Sequence, residues 1–167
     1  SDFVVEAVAI SKKINAPVQV VWTREDDIQN SFYHATSAQY LKGSIDGQGK
    51  VTGWLQRVGF PSIVSSFKPL SEYGSGFELN QGFTNNPYAI KNFRLENVKA
   101  EANLRIGWMR SVVHIHSAFG INSFVDELAF AAQKDPVQFH LELLGKDRII
   151  KGKSKFPFNS KRFKNVL

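Results

Sequence analysis

None of the 167 residues is cysteine. That excludes disulfides, thiolate metal sites, iron–sulfur ligation and a cysteine nucleophile within the chain, and it says little about compartment. Long apolar runs are missing too. No stretch of about 18 apolar residues occurs, so no span of a membrane is expected. The first residues, Ser1 to Glu6, lack the basic start and the small-residue cleavage site of a signal peptide. Hydrophobic residues nevertheless make up 43% and aromatics 13%, with 14 Phe. Such a chain is too apolar for disorder and long enough to bury a core in one domain or a domain and a half.

Positive charge is concentrated at one end. The net charge is +6 and the pI ≈ 9.6. Between Lys146 and Lys164, eight basic side chains stand against Asp147 alone, whereas residues 1–145 carry 13 basic and 14 acidic groups. The excess belongs to a tail and not to the globular part. Such a tail is a solvated face or a connection; nucleic-acid binding through it is the alternative.

Along the chain, Phe3, Ala7, Ile10 and Ile14 form one helical stripe that starts at Ser1-Asp2 and stops at Asn15-Ala16-Pro17. Val18 to Thr23 is rich in β-branched residues and is expected to be a strand, with Glu25-Asp26-Asp27 in the loop after it. Thr36 to Ile45 and Val51 to Val58 alternate around Asp46-Gly47-Gln48-Gly49, which predicts a β-hairpin. The stretch from Gly59 to Pro87, broken by Gly, Pro, Ser and Asn, is too long for an idle loop. Phe93 to Asn103 and Ser111 to Ile115 have strand character. Ser117 is the expected cap of a helix striped by Ile121, Phe124, Val125, Leu128 and Ala132. Asp135-Pro136 opens a second helix that Gly145 stops. The expected class is α+β, helices packed on a mostly antiparallel sheet.

Candidate chemistry is sparse. His114 and His116, two apart in a strand, would face one side, as a metal-chelating pair or as satisfied strand histidines. His34 and His140 read as structural. Glu25, Asp26 and Asp27 are consecutive and cannot all converge on a cation. No Gly-x-Ser-x-Gly elbow occurs, and Gly74-Ser75-Gly76 lacks the rest of a phosphate loop. Arg110 differs in kind. It follows Gly107-Trp108-Met109, where Gly permits close backbone approach and Trp supplies an apolar wall. Its guanidinium is suited either to an oxyanion or phosphate or to a structural ion pair.

Several blocks resemble one family in order and spacing: Asp2-Phe3-Val4-Val5-Glu6-Ala7, Trp22-Thr23-Arg24-Glu25-Asp26-Asp27, Phe32-Tyr33-His34, Asn86-Pro87-Tyr88, Gly107-Trp108-Met109-Arg110-Ser111 and Ser123-Phe124-Val125-Asp126-Glu127-Leu128-Ala129. Together they resemble the molybdopterin-binding large subunit of the xanthine dehydrogenase and aldehyde oxidase superfamily. The beta subunits of isoquinoline oxidoreductases and the large subunits of aldehyde dehydrogenases look nearest. The resemblance implies that residues 1–145 are part of a molybdopterin-binding domain, truncated on its N-terminal side. Residues 146–167 would be a basic linker entering the next element. Met109, Arg110 and Ser111 would be cofactor-binding. The chain would hold no metal ligand and no catalytic residue, the base lying outside it in a Gly-x-Gly-Glu motif. A Gly-Gly-Gly-Phe-Gly run would precede Ser1. Val113 and Asn122 stand where relatives often have Gly and Glu.

The resemblance further implies an oxidoreductase parent that hydroxylates aldehydes or nitrogen heterocycles with oxygen from water. Its molybdenum cofactor would pass electrons to an iron–sulfur subunit or another acceptor protein. The fragment alone would bind no cofactor and be inactive. Two other classes compete: an interaction domain using exposed aromatics around Phe60 to Phe83, and a nucleic-acid binder using the tail. Neither cytoplasm nor periplasm follows from the sequence.

Overall fold

A computed structural model describes residues 2–68, 70–150 and 157–167. Ser1 and the tail residues Lys151, Lys153 and Lys155 lie outside the described residues.

The hairpin forms as its alternation predicts. Strand β1 (Ala38–Ile45) pairs antiparallel with β2 (Val51–Gly59), with Tyr40 opposite Arg57 and Gly43 opposite Trp54. The turn closes because Asp46 Oδ1 accepts hydrogen bonds from the amides of Gln48 (3.0 Å) and Lys50 (2.9 Å). Gly49 takes the left-handed conformation at φ +72°. A third strand, β3 (Asn92–Val98), joins the other edge of β2 in parallel. The class is α+β, and the three-stranded sheet is mixed. The segment from Phe60 to Lys91 carries the chain back to the end of the sheet from which β2 started, which is what a parallel pairing requires.

The crossover contains a 3-10 turn (Ile63–Ser66) and α3 (Gly76–Leu79). A buried carboxylate ties it together. Glu78 accepts from Ser62 Oγ (2.6 Å), the Ile63 amide (2.8 Å), the Ser75 amide (2.8 Å) and Ser75 Oγ (2.7 Å). Four donors offset the cost of burying that charge.

Helix α4 (His114–Ala131) lies against β1 of the sheet, and α5 (Pro136–Leu144) packs on α4. The larger core cluster joins Trp54, Tyr88, Ile121, Val125, Leu128, Phe139 and Leu144. Trp54 meets Phe124 edge to face at 4.8 Å. Gly43 lets α4 approach the sheet, since a Cβ there would stand 2.9 Å from Leu128. The opening of α5 matches the sequence: Asp135 caps the Gln138 amide at 2.9 Å, Pro136 follows, and Gly145 ends the helix at φ +66°.

The start of α4 does not match. No strand runs from Ser111 to Ile115; a turn leads directly into helix at His114. Ser117 is therefore not the cap. It is buried within the helix, and its hydroxyl donates to the Gln81 carbonyl at 2.7 Å. The two histidines are not strand neighbours either, because two helical steps turn His114 and His116 to different sides.

After α5 come a two-residue pairing of β4 (Ile149–Ile150) with β5 (Phe158–Asn159) and the short helix α6 (Ser160–Lys164). Phe158 and Phe163 pack on the main core. Two tail cations complete the end of α5. Arg148 donates to the carbonyls of Leu144 and Pro87, and Lys164 Nζ reaches the Gly145 carbonyl at 2.6 Å.

At the other end, α1 (Asp2–Ile14) forms as its stripe predicts, but buries no residue. Val18 to Thr23 makes no strand. A β-branched run needs a partner strand, and none among the described residues pairs with it. The acidic triplet is helical, not loop. It lies in the first turn of α2 (Arg24–Asn30), where Thr23 and Asp26 form a reciprocal capping box. Among the described residues no helix is long and apolar enough to cross a membrane.

Candidate functional site

The segment around Arg110 is a loop whose base is clamped to Phe32 and Tyr33. The Tyr33 amide donates to the Arg105 carbonyl at 2.7 Å, and the Gly107 amide donates to the Tyr33 carbonyl at 3.1 Å. Phe32 lies over Gly107 so closely that a Cβ there would meet the ring at 2.6 Å. The close approach expected of this glycine is real, and its counterpart is an aromatic ring. Arg105 stacks on the same ring, its guanidinium 4.0 Å from the Phe32 ring centre, and pairs with Asp2.

Beyond Gly107 the chain turns outward. Trp108, Met109, Arg110 and Ser111 are all exposed. Trp108 touches Phe77 of α3 edge to face at 6.0 Å. The loop closes through two overlapping turns: the Val112 amide donates to the Met109 carbonyl at 2.9 Å, and the His114 amide to the Ser111 carbonyl at 2.8 Å. Ser111 and Val112 both have positive φ, +68° and +44°. For a β-branched valine this conformation is strained. Arg110 thus stands on a constrained turn at the start of α4. Among the described residues no acid pairs with its guanidinium.

The histidines resolve into three environments. His140 is buried, its Nδ1 2.9 Å from the Tyr88 hydroxyl, which donates to Asn122 Oδ1 at 3.2 Å. Its Nε2 lies 3.4 Å from Asp126. Burial, and then the charge of Asp126, push the Tyr88 phenol up, so it stays protonated. His34 contacts two carbonyl oxygens, as a structural histidine would. His116 is the unexpected one. It sits among Phe60, Phe83 and His34, and neither ring nitrogen has a hydrogen-bond partner among the described residues. Burial and the neighbouring His34 lower its pKa from 6.5 to about 4.

Other candidates disperse. Asp26 is occupied by Thr23 and Asp27 by Ser31, so the acidic triplet does not converge. Among the described residues no three His, Asp or Glu side chains form a metal-binding group. Phe60 and Phe83 do not form an exposed aromatic surface; both are fully buried, and only Phe67, Tyr73 and Phe77 between them face outward. The residues that sequence reasoning misses, Glu78, Gln81 and Tyr88, act through partners far along the chain. Only the Ser75-x-x-Glu78 capping spacing is locally readable.

Residues 2–142 match the family described as the molybdopterin cofactor-binding domain. A membrane-bound aldehyde dehydrogenase (pyrroloquinoline-quinone) of Gluconacetobacter polyoxogenes is 31% identical over 152 residues, covering 86% of this chain and 20% of that protein. A nicotinate dehydrogenase subunit of Pseudomonas putida is 27% identical over 158 residues, covering 89% of this chain and 13% of that protein. The chain therefore spans a fifth or less of the length of these relatives. With the matched residues running through the hairpin, the Arg110 loop and both long helices, the chain belongs to the molybdopterin cofactor-binding domains of the xanthine dehydrogenase and aldehyde oxidase superfamily.

Proposed function

We propose that the chain is an internal part of the large subunit of a molybdenum-dependent oxidoreductase. Residues 1–145 supply scaffold and one wall of the cofactor pocket, and residues 146–167 lead into the next element. The observation that carries this reading is Arg110: an exposed guanidinium, without an acidic partner among the described residues, on a strained turn at the head of α4. Its donor chemistry fits the phosphate and oxo oxygens of the family's cofactor. Five N–H groups in a planar fork suit a bidentate oxyanion contact. Met109 and Ser111 would border the same face with their backbone.

When bound, the cofactor supplies the oxidative hydroxylation of an aldehyde or a nitrogen heterocycle. This chain's contribution is to hold the group and exclude water with Trp108 and Met109, both about half exposed here. The general base, the glycine-rich loop and the substrate-selecting residues belong elsewhere in the parent. Electrons leave to an iron–sulfur subunit or another acceptor protein.

The test is Arg110→Gln and Arg110→Lys in the full-length parent, with molybdenum read by mass spectrometry and pterin by fluorescence. Retention is expected to fall about tenfold or more in Arg110→Gln and less in Arg110→Lys. Full retention in both removes Arg110 from the pocket. The name of one relative carries a quinone cofactor; recovery of a quinone without molybdenum would overturn the molybdenum reading itself. The isolated chain is expected to bind neither, and stoichiometric molybdenum on it would refute the partial-wall assignment.

A further inference from the structure

The loop that carries Arg110 is held at both ends by three consecutive residues. Phe32 and Tyr33 hold its entering end through Gly107 and the bridge to Ile106. The leaving end belongs to His34. Its Nε2 stands 2.6 Å from the Val112 carbonyl, a contact across 78 residues of sequence. Its Nδ1 stands 2.9 Å from the carbonyl of adjacent Ala35. A carbonyl oxygen only accepts, so in the shorter contact Nε2–H donates to the Val112 carbonyl.

That hydrogen bond falls where the backbone needs it. Ser111 and Val112 occupy conformations that relax unless their surroundings hold them. On the far side of the same peptide, the Val113 amide donates to Gln81 Oε1 at 3.2 Å. The peptide between Val112 and Val113 is thus gripped by one side chain on its carbonyl and another on its amide. Two residues before it stands Arg110. Rotating this peptide would redirect the guanidinium.

We infer that His34 is a positioning residue: its Nε2–H fixes the Val112 carbonyl and thereby the direction in which Arg110 faces the pocket. His34 itself touches no ligand. The inference rests on the pocket role proposed for Arg110, and its test separates the two.

In the full-length parent, His34→Leu fills the space without a donor. His34→Gln restores an N–H near the Nε2 position, and His34→Asn places it near Nδ1. Cofactor content is expected to fall about tenfold in His34→Leu and His34→Asn, and to recover to near the parental value in His34→Gln. Tryptic cleavage of the Arg110–Ser111 bond in cofactor-free protein is expected to accelerate in the first two and not in the third. Both readouts follow donor position, which a merely structural role would not do. Equal content and equal cleavage in His34→Gln and His34→Asn overturn the inference, and so does unchanged behaviour of His34→Leu. If His34→Leu does not fold, the Gln and Asn pair decides alone. Failure of the Arg110 substitutions to lower cofactor content, with cleavage still following donor position, sinks the pocket role and leaves the clamp standing.

Discussion

In α5, Phe139, His140, Leu143 and Leu144 are buried, whereas in α1 none of thirteen residues is. Both helices carry apolar residues at helical spacing. They differ in what they meet. The inner face of α5 finds α4, Tyr88 and the aromatic rings of Phe158 and Phe163. The stripe of α1 finds Trp22, which Phe3 meets edge to face at 6.0 Å and whose indole donates to Glu6 at 2.8 Å. An amphipathic pattern specifies a helix, but burial needs a second surface, and only the sheet unit contains both. Stability therefore belongs to the sheet with α4 and α5. The Arg110 loop lies at the joint between the two regions, clamped by the last residues of the N-terminal one.

The comparison breaks most visibly at Phe139. Truncating this fully buried ring in Phe139→Ala removes apolar contacts and leaves a cavity, which costs about 3–5 kcal/mol. Urea denaturation followed by tryptophan fluorescence is the measurement. A loss below about 1 kcal/mol would mean that the α4–α5 core is not where the fold is held.

His116 gives the second effect, within the same stable region. Its folded pKa of about 4 lies below the free value of 6.5, so between these values the unfolded chain takes up a proton that the folded chain refuses. Stability is full above pH 6.5 and falls as the pH drops toward 4. The slope should stay below roughly 1.4 kcal/mol per pH unit, the limit for one proton bound by the unfolded and not by the folded chain. His116→Leu keeps the packing with Phe60 and Phe83 and removes the proton site. Urea midpoints between about pH 7 and about pH 5 are expected to decline less in the variant than in the parent chain. Parallel declines would place the titration on another group.

What can be read in the sequence is what neighbours in the sequence decide. The hairpin turn depends on Asp46 and Gly49, and the start of α5 on Asp135 and Pro136, so both are legible. The start of α4 is not. Its N-cap, Val113, has no capping side chain; the amide is met by Gln81 from the crossover, 32 residues earlier. Serine at 117 has the chemistry of a cap, yet its hydroxyl serves the Gln81 carbonyl. The parallel seat of β3 and the His34 clamp on Val112 are equally non-local. Arg110 is legible as a candidate through its glycine and tryptophan neighbours. The positive φ of Ser111 and Val112 has no signal, since neither residue type favours it.

The smallest effect sharpens the comparison most. Val8 lies on α1 with 62% of its surface exposed. Serine has a helix propensity close to that of valine, so Val8→Ser changes neither the helix nor a packed contact. Its effect on the urea midpoint should lie within about 0.5 kcal/mol, the range of an ordinary surface substitution. Self-association is a different matter. Phe3, Val4, Val5, Val8 and Ile10 are all exposed on α1, and exposed apolar surface of this kind draws partners or promotes aggregation. Light scattering at high concentration is therefore expected to fall in Val8→Ser while stability holds. A cost above about 1 kcal/mol would show that α1 is buried by this chain in solution, and the contrast with α5 would disappear. Unchanged stability with reduced scattering would instead mark α1 as an exposed surface through which copies of the chain associate.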